Sequence, residues 1–403
     1  MTDFSTAPLA GVKVLELSQI MAGPTCGLML SDMGADVIKV EKWPGGDDAR
    51  GYSKASDGAA MAPSFMMINR GKRSLAVDIR TPQGQAVVKR LVQGADVLTE
   101  NFRMGALEKQ GLGYDELAKV NPALIYCSIN GYGRMGPMAA KGGFDLILQA
   151  FSGLMSVTGE VGGKPVKTGN SVADMNAGLI GAFGILAAYI QRLKTGKGSR
   201  VDTSLLQSSV HQMMWFAAGY FSAGLIAKPN GTAHPLIAPY ETFTCSDGDI
   251  AIGGANQSNW ERIAKLLGHE EWIEDKRFID GATRLANRQE LADLMTLQLR
   301  HKTVAQWVAE LDAAGVPAGP VNNVAQALEN EQTKAVSMVI DVDHPGGKKG
   351  RAIGSPLHIN GESLAKTNAP PKVGQHTEMV LKEFGFASDE IAGLIRDSIV
   401  FQG

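Results

Sequence analysis

The chain has 403 residues, 44% of them apolar and 20% charged, with a formal net charge of −2 at pH 7. That is the balance of a water-soluble globular protein with one large or two ordinary domains. The near-neutral charge excludes a global attraction to nucleic acid or an anionic membrane, so any anion site has to come from local basic clusters.

In chain order, the opening "MTDFSTAPLAGVKVLEL" lacks a basic segment followed by an apolar core, and no secretory leader is expected. "VKVLEL" (12–17) reads as a buried strand, and "PTCGLMLSDMG" as a helix with Pro24 in its first turn and Gly34 after its end. "DVIKVE" (36–41) and "SLAVDI" are the next strands. "TPQGQAVVKRLVQG" is then a helix with Thr81 as N-cap and Pro82 behind it. "DVLTENF" (96–102) and "ALIYCSI" (123–129) are two further strands. Strands alternating with short helices predict an α/β fold, a parallel sheet with helices on both faces.

Two long apolar helices, about 175–193 and 203–226, are expected next, joined by a turn at Thr195–Gly198 with Asp202 or Thr203 as cap. The stretch Ala177–Ile190 carries no charge, but a membrane span needs roughly 20 such residues. Three glycines interrupt it and Gln191–Arg192 end it, so a buried core helix is expected and no membrane partner. Asp247–Gly248 between alternating runs marks a hairpin. Helical patterns run to about 315, short strands are expected in "VIDVDHPGGKKGRAIGSPLHI", and a final helix near Thr377. The implied organisation is a large α/β domain (1–227), a smaller α+β domain (228–330) and a return segment (331–403) completing the first.

Several chemistries lack their motif. The turn "SQIMAGPTCG" is no G-x-G-x-x-G, and there is no P-loop and no G-x-S-x-G. The seven histidines form no HExxH, and "DVDH" (341–344) reads as a solvated turn, so no metal is expected. Cys26, Cys127 and Cys245 are odd in number and far apart, which suits a reducing cytoplasm rather than a disulfide framework. Basic residues do cluster: Arg70, Lys72 and Arg73 in "NRGKRS", Arg103 and Lys109 in "NFRMGALEK", and Lys42 at a strand end. Ligands of a doubly wound sheet bind beyond its strand ends, so converging cations there suit a phosphate-bearing ligand. Asp174, at the head of the apolar helix in "SVADMNAGL", reads as an N-cap by spacing. Its neighbours "TGNSVA" and "MNAG" suggest instead a carboxylate kept ionised by the positive helix end.

The segments "LAGVKVLELSQIMAGPTCGLMLSDMGADVIKVE", "NRGKRSLAVD", "ADVLTENFRMGALEKQGLGYDEL", "GGFDLILQAFSG", "SVADMNAGL", "GKGSRVDTSLLQ" and "GQHTEMVL" together resemble the class III CoA-transferases, which include formyl-CoA transferase and the CaiB-type enzymes. The resemblance implies a Rossmann-like large domain, a small domain, and two ring-like chains threaded into an interlocked homodimer. It makes the Asp174 of "VADM" the nucleophile, with coenzyme A thioesters and carboxylic acids as substrates and no permanently bound cofactor. It places CoA contacts at Lys42, Lys72 or Arg73, Asn101, Lys109 and Lys141. Two departures stand out. Met21 occupies the place of a glutamine in the formyl-CoA:oxalate enzymes, and "GGANQSN" (253–259) stands for their four-glycine run, leaving Gly253 and Gly254 as lid and oxyanion donors.

The implied reaction moves CoA from an acyl-CoA to an acid through an aspartyl anhydride and an aspartyl-CoA thioester. Succinyl-CoA and a dicarboxylate are the expected pair, following a family theme. Two alternatives remain. An α-methylacyl-CoA racemase would need a second acid–base group, and "GGFD" offers Phe144 where those enzymes place a histidine. A non-catalytic CoA-binding protein would retain affinity without exchange.

Overall fold

The computed structural model describes residues 7–52, 61–343 and 349–403; the first six residues of the opening segment and His344 of "DVDH" lie outside them. Strands and helices alternate through β1 (Lys13–Glu16), α1 (Ala22–Asp32), β2 (Asp36–Lys42), α2 (Pro63–Asn69), β3 (Arg73–Val77), α3 (Pro82–Gln93), β4 (Val97–Glu100), α4 (Tyr114–Val120), β5 (Ile125–Asn130), α5 (Asp145–Phe151), α6 (Val172–Thr195) and β6 (Ser199–Ser204). Neighbouring strand residues such as Val14 and Leu15, or Val97 and Leu98, are buried on opposite faces, as helices on both sides of a parallel sheet require. The Thr81 hydroxyl accepts the Gly84 N–H at 3.0 Å and starts α3 as expected.

The expected helix over 203–226 is replaced by three elements. Arg200–Thr203 belong to β6, and α7 (Leu205–His211) and α8 (Met214–Ala223) follow as separate helices. The cap is Ser204, whose hydroxyl accepts the Gln207 N–H at 3.1 Å; Asp202 and Thr203 lie in the strand. Beyond them come β7 (Tyr240–Thr244), β8 (Asp249–Gly253), α9 (Gln257–Leu266), α10 (Gly281–Ala286), α11 (Arg288–Leu299), α12 (Val304–Ala313), β9 (Ala318–Pro320) and α13 (Val324–Glu329). The β7–β8 hairpin turns at Asp247–Gly248, where Cys245 N–H donates to Gly248 C=O at 2.7 Å. The chain returns through α14 (Glu331–Ala335), β10 (Val339–Asp343), β11 (Lys349–Ile353), β12 (His358–Ile359), β13 (Glu362–Ser363), α15 (Thr377–Glu383), α16 (Ser388–Arg396) and β14 (Val400–Phe401).

Two units result. The first holds residues up to Leu154, Lys167–Leu225 and Glu331–Gly403; the second holds Met155–Val166 and Ile226–Asn330. Met155–Val166 joins the second unit, inside what the sequence suggests is the large domain, because Gly231 N–H donates to Gly159 C=O at 2.9 Å. The first unit carries a seven-stranded sheet in the order β14-β3-β2-β1-β4-β5-β6, parallel except for β14. Strand order reverses at β1, which lies between β2 and β4, so the crevice beyond the carboxyl ends of β1 and β4 is where a doubly wound sheet takes its ligand. The second unit packs the antiparallel sheet β7-β8-β9 with helices around Trp260, Phe278, Met295 and Trp307.

Helix α6 is the one helix among the described residues that is long and apolar enough to cross a membrane. It is not buried all round. Ala177, Gly178, Gly181 and Ile185 face the core, while Phe183 and Leu193 on the other side are 74% and 70% exposed. Its glycines allow close approach: a Cβ on Gly178 would collide with the Ala22 carbonyl oxygen of α1, and one on Gly181 would lie 2.8 Å from Ile129 of β5.

Candidate active site

Asp174 is the third residue of α6, inside the first turn rather than at the cap; the cap position belongs to Ser171. The first turn is held from outside. The Ala173 N–H donates to Asp145 Oδ1 at 2.9 Å, and Asp145 Oδ2 accepts from Gln149 Nε2 at 2.7 Å. Gln149 is fully buried, and its amide oxygen receives the Thr168 N–H at 3.0 Å. The loop before α6 is therefore tied to α5, and the Asp174 backbone is fixed before any ligand arrives.

The expectation that the helix end keeps this carboxyl fully ionised at neutral pH is corrected. Burial, followed by the like charge of Asp145, pushes the Asp174 pKa up to about 7. These outweigh the helix dipole, which is worth at most about 2 kcal/mol.

Asp174 opens into a cavity of about 360 Å³ whose lining belongs entirely to the first unit. Gln19, Ile20 and Met21 of the β1–α1 loop form one wall. Asn101 and Arg103 come from beyond β4, and Lys141 and Phe144 from the loop before α5. A narrower apolar slot of about 180 Å³ lies beside it, formed by Leu17, Val40, Val77 and Ile79 with Lys42 and Arg80. Gln19 and Phe102 line both spaces.

A cavity at the switch point of a parallel sheet, with a basic carboxyl and two cations, points to an anionic ligand. The sequence comparison decides the family: the profile of CoA-transferase family III matches residues 9–377. The chain belongs to CoA-transferase family III. It is 37% identical to succinyl-CoA:glutarate CoA-transferase of Mus musculus over 94% of this chain and 87% of that one. It is 36% identical to succinate–glutarate CoA-transferase of Agrobacterium fabrum, over 95% and 98%. Among solved structures it is similar to a CAIB/BAIF family protein from Brucella suis, at 40% identity and a TM-score of 0.83, covering 94% of this chain and 99% of that one.

In this family III transferase the residues singled out from sequence fall into three groups. Asp174, Asn101, Arg103 and Lys141 line one cavity. Arg103 and Lys141 are exposed there, and Lys141 Nζ stands 5.7 Å from the centre of the Tyr132 ring. Asn101 uses its amide to hold the loop: Oδ1 accepts from Gln19 N–H and Nδ2 donates to Gln19 C=O, both at 2.8 Å. Lys42 is at the slot, paired with Asp48 of the cavity wall.

Lys72, Arg73 and Lys109 are not brought to the cavity. Lys72 is buried, with Glu16 at 2.7 Å, the Pro24 carbonyl at 2.9 Å and Asn69 at 3.0 Å around its ammonium, so no N–H is left for a ligand. Arg73 opens β3 at the opposite end of the sheet and is held by Asp36 and Glu383. Lys109 is exposed in a short turn and lines neither space. Gly253 and Gly254 belong to the second unit, and the expectation that their N–H groups receive an oxyanion is corrected. Gly253 donates to Pro317 C=O and Gly254 to Pro239 C=O, each at 2.8 Å.

Sequence reading missed Asp145, Arg80 and Phe102. Asp145 stands in the "GGFD" segment beside Phe144; a carboxylate opening a short helix after a pair of glycines was the available signal. Among the described residues no cluster of three or more His, Cys, Asp or Glu side chains forms a metal site.

Proposed function

We propose that the protein transfers CoA from succinyl-CoA to a dicarboxylic acid, with Asp174 as covalent carrier. The observation that carries this reading is a single basic carboxyl, at a pKa of about 7, facing a cavity lined by two cations, Arg103 and Lys141. The Asp174 carboxylate attacks the thioester carbonyl and the C–S bond breaks. CoA thiolate leaves and a mixed anhydride joins Asp174 to the succinyl group. The thiolate then attacks the Asp174 carbonyl, giving an aspartyl-CoA thioester and free succinate. The acceptor carboxylate reverses both steps and restores Asp174. One thioester replaces another, so bond energy is conserved and no nucleotide is consumed.

The raised pKa serves this chemistry. A more basic carboxylate is a better nucleophile, and about half remains ionised at pH 7. Arg103 and Lys141 bind the anionic groups of substrate, while the apolar slot between Lys42 and Arg80 suits the flat, phosphate-bearing end of CoA. The succinyl and dicarboxylate assignment draws on the names of the mouse and Agrobacterium relatives, both of which join succinate and glutarate. Phe144 on the cavity wall supplies no second acid–base group, which disfavours α-proton exchange.

The working form is proposed to be the interlocked homodimer of the family. It would cover α8, none of whose residues is buried and whose Phe221 is 82% exposed. Coenzyme A thioesters act as substrates, and the cytoplasm is the proposed site of action. The test is direct. The enzyme is incubated with succinyl-CoA and glutarate, quenched, and mapped by mass spectrometry for a CoA adduct, or a hydroxamate after hydroxylamine, at Asp174. Exchange without modification there would overturn the covalent scheme.

A further inference from the structure

The wall of the Asp174 cavity contains a strained residue. Ile20 has φ 69°, in the left-handed region that β-branched side chains almost never occupy. Gln19, Ile20 and Met21 together line the cavity, so this backbone conformation decides which atoms face the reacting acyl group. If Ile20 relaxed to ordinary φ, the chain would swing on both sides of it, and Gln19 and Met21 could not both stay in the wall.

Three side chains prevent that relaxation. The Ile20 N–H donates to both carboxylate oxygens of Asp47, at 3.1 and 3.2 Å. Gln19 is held through its N–H and C=O by Asn101. The Ser18 C=O accepts from Lys39 Nζ at 2.9 Å, and the same ammonium pairs with Asp47 at 2.8 Å and Glu16 at 2.9 Å. Lys39 is completely buried and Asp47 is 2% exposed. Asp47 is itself fixed: it accepts the Ala49 N–H at 2.9 Å, and its own N–H donates to Glu41 Oε2 at 2.9 Å. A charged pair carried into the interior is costly, and here it holds a loop in place. Strain held by surrounding structure at a site wall is the pattern of preorganisation.

We propose that Asp47, backed by Lys39, is a positioning residue for acyl transfer: its carboxylate holds Ile20 in the left-handed conformation that presets the Gln19–Met21 wall opposite Asp174. This rests on the proposed function. Asp47 holds Ile20, which lines the cavity but not the slot, while Gln19, which lines both, keeps its own two bonds to Asn101, so loss of the clamp lowers turnover while CoA binding stays.

The experiment compares wild type, Asp47→Ala, Asp47→Asn, Ile20→Gly and Asp47→Ala/Ile20→Gly by succinyl-CoA-dependent exchange and by calorimetric titration with free CoA. Glycine adopts φ 69° without strain, so the double variant no longer needs the clamp. Asp47→Ala is expected to lower kcat at least tenfold with CoA affinity changed less than threefold, and Ile20→Gly to restore at least threefold of the loss. Asp47→Asn, which keeps an acceptor oxygen, is expected to fall between, and it carries the comparison if Asp47→Ala does not fold. Equal loss of kcat and CoA affinity, or no recovery on adding Ile20→Gly, would overturn the clamp and leave Asp47 a structural residue. An inactive wild type that binds CoA would instead overturn the proposed function, so the two failures are distinct.

Discussion

Asp145 accepts the N–H of Ala173 at 2.9 Å and also raises the pKa of the next residue, Asp174. One carboxylate thus fixes the backbone beside Asp174, the proposed nucleophile, and adds to the rise in pKa that burial causes first. Asp145→Asn separates these roles: the amide oxygen can still take the Ala173 N–H while the charge is gone, and the one acceptor lost is that of Gln149 Nε2. The expected outcome is a lower Asp174 pKa. Activity is expected to rise with pH as Asp174, the proposed nucleophile, ionises, through an inflection near 7 in wild type. In Asp145→Asn that inflection moves to lower pH, read from kcat/KM between pH 5 and 9. Asp145→Ala also loses the helix-start contact, costing about 1 kcal/mol in a denaturant melt.

If Asp174 is the proposed covalent carrier, Asp174→Asn is expected to abolish turnover, and it is expected to stabilise the fold at alkaline pH. The folded pKa, about 7, lies above the ordinary 3.8, so the folded state binds the proton more tightly than the unfolded one. Below about pH 4 both states are protonated and Asp174 carries no penalty. Between 4 and 7 the penalty grows as the unfolded state ionises first, and above 7 it is constant. After discounting for partial exposure, the variant gains on the order of 1–2 kcal/mol at pH 8. The gain shrinks towards zero at pH 4. Urea melts at the two pH values check it, and equal differences would exclude an electrostatic origin.

Legibility followed the physics of each segment. The strands β1 to β5 announce themselves by short β-branched and apolar runs suited to burial on both faces, although charged Lys39 and Glu41 interrupt β2, and Thr81–Pro82 mark α3 by local chemistry alone. Strand β6, "SRVDTS", lies at a sheet edge and buries only Thr203 and Ser204, so no apolar run reveals it. The break between α7 and α8 at Gln212–Met213 has no proline or glycine, and a uniformly apolar face hides it. At the site, Asp174 is legible from its segment. The fate of Lys72 is not, because Glu16, which captures it, lies on a distant strand. The neutral loop "GGANQSN" likewise gives no sign that Pro317 and Pro239 take the glycine N–H groups.

The cations divide by their partners. Arg103→Ala and Lys141→Ala each remove a positive charge from the cavity wall and are expected to raise KM for acyl-CoA by about tenfold or more, the worth of a hydrogen bond to a charged group. The effect weakens as salt is added. Lys72→Met should leave KM within twofold, yet destabilise the fold by about 3 kcal/mol, because Glu16 stays buried with one cation fewer. Steady-state kinetics at two ionic strengths and a thermal melt separate the groups. A large KM effect at Lys72 would restore it as a CoA ligand.

Gly178 lies one turn beyond Asp174 on the face of α6 that meets α1. An added methyl would collide with the Ala22 carbonyl oxygen and stand 2.8 Å from the Thr25 Cβ. Backbone cannot yield as a flexible side chain would, so α6 must move away from α1. Ala22 lines the cavity, so that movement changes the distance between Asp174 and the α1 side of the wall. Gly178→Ala is expected to cost about 1–3 kcal/mol in stability and to lower kcat by up to about 100-fold, since reacting groups tolerate little displacement. At Gly169, before the helix, an added methyl would meet nothing within 4 Å, and Gly169→Ala should leave both quantities unchanged. If Gly178→Ala loses stability but keeps full kcat, the α1–α6 contact supports the fold without setting the geometry at Asp174.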